Sequence, residues 1–257
     1  MKKFILLFLL IPSLCFAVEP IDFSKSIAMS PAMLGLAGGK VAAAAGCGGG
    51  TSYLLCENFG STNACYSGDA TFVNCDLTWT KVGTPGGVDF KYATSPAPLE
   101  GSYSFTAVDA NADTDGFVYA FTANDTVHFF FILSPITRAV GCFVSLLDSS
   151  DNVVMRVYDA GPEFAIYCND TLGYSTAIVN GTTYYVWGDY TKGSGSNASC
   201  HLFHSTDTTK GSADITITNG NSTAQAAKLK INTTAGVRKH IYDKIRVSTS
   251  SIGDNPN

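Results

Sequence analysis

The chain has 257 residues, 46% of them hydrophobic and only 14% charged, and its formal net charge is −5. Lysine and arginine form no long cluster, which argues against a nucleic-acid surface, and the wealth of Gly, Phe, Tyr and small polar residues favours strands and turns over long helices. The same composition excludes a coiled coil, collagen and bulk disorder.

Residues 1–17 read as a secretory signal peptide: Lys2 and Lys3, an apolar run at 4–10, and the cleavage-site residues Cys15-Phe16-Ala17. The run is shorter than the roughly 20 residues a span needs, so no membrane span is expected in the mature chain. Residues 18–50, rich in Gly and Ala, read as a flexible arm. A single domain is expected over 51–252, with a tail at 253–257. Export to an oxidising compartment permits disulfides. Seven cysteines remain after cleavage, an odd number, so at least one stays free or pairs between chains. Cys65 and Cys75 flank a short polar loop and are the first candidate pair; Cys47 with Cys56 is the second.

Strand patterns are expected at 53–59, 103–108, 117–122, 127–133, 139–147, 152–159, 163–169, 183–190, 199–204, 214–218 and 237–248, separated by Gly-, Asn- and Asp-rich turns. Residues 224–229 read as two helical turns at most. Short strands at this spacing predict an all-β fold, an antiparallel two-sheet jelly-roll sandwich.

Alternation along the first and last strands puts two acids among apolar neighbours. Glu57 shares a side with Leu55 and Phe59. Asp243 shares one with Ile241, Ile245 and Val247. A carboxylate in a core is costly unless paired, hydrogen-bonded or metal-bound. If the two converge, they make a hard-cation site, and structural Ca²⁺ is the expected cofactor; alternatively each caps a strand end and accepts backbone amides. A second acidic segment, Asn111, Asp113 and Asp115, matches the first half of a calcium loop but has Thr122 where the bidentate Glu belongs.

Five pieces in order carry a resemblance: Cys56-Glu57-Asn58-Phe59-Gly60, Trp79-Thr80-Lys81-Val82-Gly83, the stretch from Ser95-Pro96-Ala97-Pro98 to Phe105, Tyr184-Tyr185-Val186-Trp187-Gly188-Asp189-Tyr190, and Tyr242-Asp243-Lys244-Ile245-Arg246-Val247-Ser248. Their order resembles the laminin-G-like, concanavalin A-like jelly rolls of bacterial secreted proteins and phage virion proteins, and many carbohydrate-binding modules. The resemblance implies two facing sheets and a structural calcium held at positions matching Glu57 and Asp243. The segment 61–76, with its two cysteines, departs from that pattern.

Glucanases on related folds use acids two residues apart on one strand. The four glutamates, Glu19, Glu57, Glu100 and Glu163, have no such partner. His128 reads as a strand residue, and His201 and His204 fall on opposite sides of a strand. Tyr185, Trp187 and Tyr190 are the candidate sugar-binding residues, because flat rings stack on sugar faces. The expectation is therefore a non-catalytic secreted or surface-associated module that binds glycans or surface polysaccharide, or mediates adhesion. The alternatives are a structural virion or surface-decoration module within a larger assembly, or a glucan-cleaving hydrolase.

Overall fold

The computed structural model describes residues 53–59, 75–83, 90–93, 99–100, 104–109, 116–137, 141–232, 238–254 and 256. The signal peptide, the arm, Cys47, Cys65 and the segment with Asn111, Asp113 and Asp115 lie outside them. The described residues form fifteen strands and no helix. They are β1 (Tyr53–Glu57), β2 (Thr80–Val82), β3 (Phe90–Ala93), β4 (Ser104–Asp109), β5 (Gly116–Asn124), β6 (Thr126–Thr137), β7 (Gly141–Leu147) and β8 (Val153–Asp159). There follow β9 (Glu163–Cys168), β10 (Thr171–Ala177), β11 (Tyr184–Thr191), β12 (Ala198–Ser205), β13 (Ile215–Gly220), β14 (Ala226–Asn232) and β15 (Arg238–Ser248).

All strand pairings are antiparallel, and they make two sheets. The first runs β13-β12-β11-β6-β15-β4-β3, with β1 also on β15; the second runs β10-β9-β8-β7-β14-β5-β2. The expected two-sheet sandwich is what forms. Its core lies between the sheets and takes Phe129, Phe131 and Leu133 from β6, Val186 and Tyr190 from β11, and Val157, Ile166, Leu229 and Ile231 from the second sheet. Gly188 faces Phe129 across the β11–β6 pair. A Cβ there would come within 2.0 Å of the ring, so the aromatic fills the space the glycine leaves.

Cys168 at the end of β9 and Cys200 in β12 form a disulfide that ties one sheet to the other. Their separation of 32 residues corresponds to about 3.7 kcal/mol of stabilisation in the chain-entropy account. The pair was not among the expected ones. Cys56 and Cys75 are each disulfide-bonded as well, and their expected partners, Cys47 and Cys65, lie outside the described residues.

Two sequence expectations change here. Residues 224–229 do not turn helically: β14 lies between β5 and β7, where Ala226, Leu229 and Ile231 are buried, and tertiary packing overrides the helical preference of alanine. The uniform alternation expected along 237–248 breaks at Lys244, whose φ is +45°. This irregularity shifts the register between Asp243 and Arg246, so Tyr242 joins Ile245 and Val247 in the core. Asp243 is carried to the other face, opposite Ile132.

Candidate functional site on the outer face of the first sheet

Glu57 and Asp243 are both buried, but the structure does not bring them together. Glu57 pairs with Ile245 and faces inward; Asp243 pairs with Ile132 and faces outward. The expected shared cation site is therefore not formed, because the irregularity at Lys244 reverses the face that plain alternation assigns to Asp243.

Each acid is instead held by hydrogen-bond donors. The Glu57 Oε1 accepts the amides of Phe59 and Asp76, both at 2.7 Å, and Oε2 accepts the Leu77 amide at 3.0 Å and the Trp79 indole N–H at 3.1 Å. An ionised carboxylate offers about four acceptor positions, and these four donors take them. Amide hydrogens aimed at both oxygens are the wrong environment for a cation, so Glu57 does not fit as a calcium ligand. Burial raises its carboxyl to about 7, against the pull of the four donors. Asp243 Oδ2 accepts the Glu100 amide and the Ser104 hydroxyl, and Oδ1 accepts the Lys244 amide. Burial raises this carboxyl to about 6, and the nearby Glu100 charge adds to the rise. Among the described residues no group of three or more His, Cys, Asp or Glu is placed to hold a metal ion.

The three aromatic candidates do not share a surface. Tyr190 points into the core and its hydroxyl bonds Ser222 Oγ at 2.7 Å and the Ala224 carbonyl at 2.6 Å. Trp187 and Tyr185 point outward, but Trp187 is fully buried against Phe130 and Ile252, and its indole N–H donates to the Gly253 carbonyl. The segment after β15 thus crosses this face. Its Asp254 Oδ1 accepts the Lys210 amide at 2.7 Å. Tyr185 is half-buried and donates to Glu100 Oε1, whose other oxygen pairs with Lys244.

Beyond that cover, register builds a polar row. His128, Asp189, His201 and Thr216 stand side by side across β6, β11, β12 and β13. His128 Nδ1 lies 2.7 Å from Asp189 Oδ1. Lys210, from the connection between β12 and β13, brings its Nζ to 3.4 Å from Asp189 Oδ2 and over the Phe203 ring at 4.1 Å. His201 Nδ1 is 3.3 Å from Thr216 Oγ1. The His128 and Asp189 side chains keep 15% and 19% of their surface open. Burial pushes the Asp189 carboxyl up, but the His128 hydrogen bond and the Lys210 charge outweigh it, and the net shift is downward. His204, by contrast, faces inward onto Phe164 and Tyr184.

This row combines a persistent anion, an imidazole held at one nitrogen, and an ammonium. With Nδ1–H donated to Asp189, the lone pair of the neutral imidazole sits on Nε2. That is an oriented base with a fixed cation beside it. Neither Asp189 nor Lys210 was singled out in the sequence. One signal was there: His128 is the lone His, Asp, Glu, Lys or Arg in β6 and Asp189 the lone one in β11, and both strands are otherwise rich in apolar and aromatic residues.

No protein-family model matches the chain, and no curated protein matches its sequence. Solved structures do share its fold. The marine PL-14 alginate lyase from Aplysia kurodai aligns with a TM-score of 0.53 at 8% identity, over 78% of this chain and 100% of that one. The endo-beta-1,4-glucuronan lyase from the fungus Trichoderma reesei aligns at 0.46 and 8%, over 63% and 87%. The catalytic domain of the glycoside hydrolase family 131 protein from Coprinopsis cinerea aligns at 0.44 and 11%, over 68% and 83%. The likeness is one of architecture, a jelly-roll-like sandwich. It corrects the expectation of a module without catalysis: the sandwich that matches the alginate lyase over that enzyme's whole length is a catalytic frame there, and the missing Glu pair excluded only one chemistry.

Proposed function

We propose that the chain is a secreted enzyme that cleaves an acidic polysaccharide by β-elimination, using the outer face of the first sheet. The observation that carries this reading is the His128–Asp189–Lys210 cluster. The architecture shared with an alginate lyase supports it as analogy. The Cys168–Cys200 disulfide suits an oxidising compartment. Among the described residues no helix is long and apolar enough to cross a membrane.

In a polyuronate, the hydrogen on the ring carbon next to the carboxylate is weakly acidic. Nε2 of His128 takes that proton. The electron pair left behind forms a carbon–carbon double bond as the neighbouring glycosidic carbon–oxygen bond breaks. The departing oxygen takes a proton, and the imidazolium is the nearest source. Asp189 keeps the ring oriented. Lys210 offsets the negative charge that builds on the sugar carboxylate. Hydrolysis by two carboxylates fits less well: Asp189 has no second acid on its row, and Asp243 is closed to solvent.

The test is incubation with alginate, polyglucuronate and a neutral β-glucan, following both reducing ends and the ultraviolet absorbance of the new double bond. Absorbance should grow with an acidic polymer only and vanish in His128→Ala. Reducing ends without the double bond, or no release from any polymer, overturn the reading.

A further inference from the structure

The opposite outer face, that of the second sheet, carries aromatic and basic residues that the proposed chemistry does not use. Register places Leu172, Tyr167, Arg156, Ser145 and Lys230 in one row across β10, β9, β8, β7 and β14. Tyr174, Ala165 and Tyr158 stand in a neighbouring row. The inward partners of these residues, Phe164, Ile166, Met155 and Val157, belong to the core, so both rows face away from it. Tyr174 is 54% exposed and Leu172 36%, an unusual outlay of apolar surface for adjacent alternate positions of one strand. Tyr158 and Tyr167 meet edge to face at 5.8 Å. The Arg156 guanidinium lies 5.8 Å from the Tyr167 ring centre. Its Nε is buried without a hydrogen-bond partner, and no carboxylate among the described residues pairs with it.

We propose that Tyr174, Tyr167, Leu172 and Arg156 form a second, non-catalytic binding surface for the acidic polysaccharide. A sugar ring stacks on the exposed tyrosine. Its carboxylate meets Arg156, whose planar fork suits that group. Glu163, on the same face beside Ala177, marks the end where an acidic chain is disfavoured. Ligand choice follows from charge: a neutral glucan would leave Arg156 unanswered. Because this face and the His128 row lie on opposite sides of two packed sheets, the surface anchors the polymer without presenting it to the base. The proposal takes its ligand class from the function proposed above, but it does not depend on cleavage.

Affinity electrophoresis separates the two ideas. His128→Ala, which cannot cleave, is run through native gels containing alginate, polyglucuronate or neutral β-glucan, alone and combined with Tyr174→Ala or Arg156→Gln. The parent should be retarded by an acidic polymer only. Each added substitution should weaken apparent affinity by at least about fivefold, the size of one stacked ring or one charge-assisted bond, with melting curves unchanged. Equal retardation of all three chains overturns the surface, whether or not the wild type cleaves. Retardation that depends on Tyr174 upholds it even if no polymer is cleaved. The exposed β10 edge also invites pairing with a second copy, so each chain is sized by gel filtration. A dimer lost in Tyr174→Ala, with retardation unchanged, overturns the proposal in favour of self-association.

Discussion

Glu57 and Asp189 are both carboxylates set in apolar strands, yet they do opposite work. Glu57 faces into the sandwich, with every acceptor position filled by backbone amides and one indole. It fastens the end of β1 to the segment 75–79. Asp189 faces outward and its partners are side chains that carry or exchange protons. The partner's kind, more than the degree of burial, separates an acid that holds the fold from one that supports chemistry.

The largest effect should come from His128→Ala. Loss of the base costs about 10²–10⁴-fold in turnover, while the melting midpoint stays in place; Asp189→Asn should act in the same direction, more weakly. Glu57→Ala gives the reverse pattern. Four donors lose their acceptor, which costs about 3 kcal/mol or more and lowers the midpoint by roughly 6–12 °C, and the fraction still folded keeps its activity. A Glu57 variant that melts like wild type but is inactive would erase the distinction.

Titration sharpens it further. Burial raises the Glu57 carboxyl to about 7, against near 4.5 in the unfolded chain, and where it takes up the proton one of its four N–H donors gives up its acceptor. Over that window the native state binds more protons, so this contribution to stability falls as pH rises and levels off above 7. Asp189 is depressed, so its contribution is present above the ordinary aspartate value and is lost as pH falls through the lowered one. Denaturant titrations across pH should show the Glu57 slope flattened in Glu57→Gln and the acid limb altered in Asp189→Asn. The smallest effect concerns metal: with Glu57 saturated by N–H donors, a chelator should leave the midpoint unchanged. A fall in midpoint would instead point to ligands in the segment containing Asn111, Asp113 and Asp115.

The sandwich was legible because alternation and turn residues recur along the chain. What was missed has identifiable physical causes. Thr171–Ala177 alternates in the reverse of the usual sense, with Leu172 and Tyr174 on the exposed side and Gly173 on the inner one. Alternation placed Asp243 on the wrong face because one left-handed residue, Lys244, resets the count. Trp187 and Tyr190 looked alike in sequence but point to opposite sides, and neither is open. The Cys168–Cys200 pairing was not anticipated, since inter-sheet neighbours leave no trace in spacing. The His128–Asp189 contact spans 61 positions, and only the pairing of β6 with β11 brings it about.

The chain's two tryptophans each donate an indole hydrogen bond within one of the regions just contrasted. Trp79 bonds the Glu57 carboxylate, and Trp187 bonds the Gly253 carbonyl beneath the segment that crosses the outer face. Replacing either with phenylalanine leaves one built-in fluorophore, so emission from Trp79 follows the fastening of β1, while emission from Trp187 follows uncovering of the outer face.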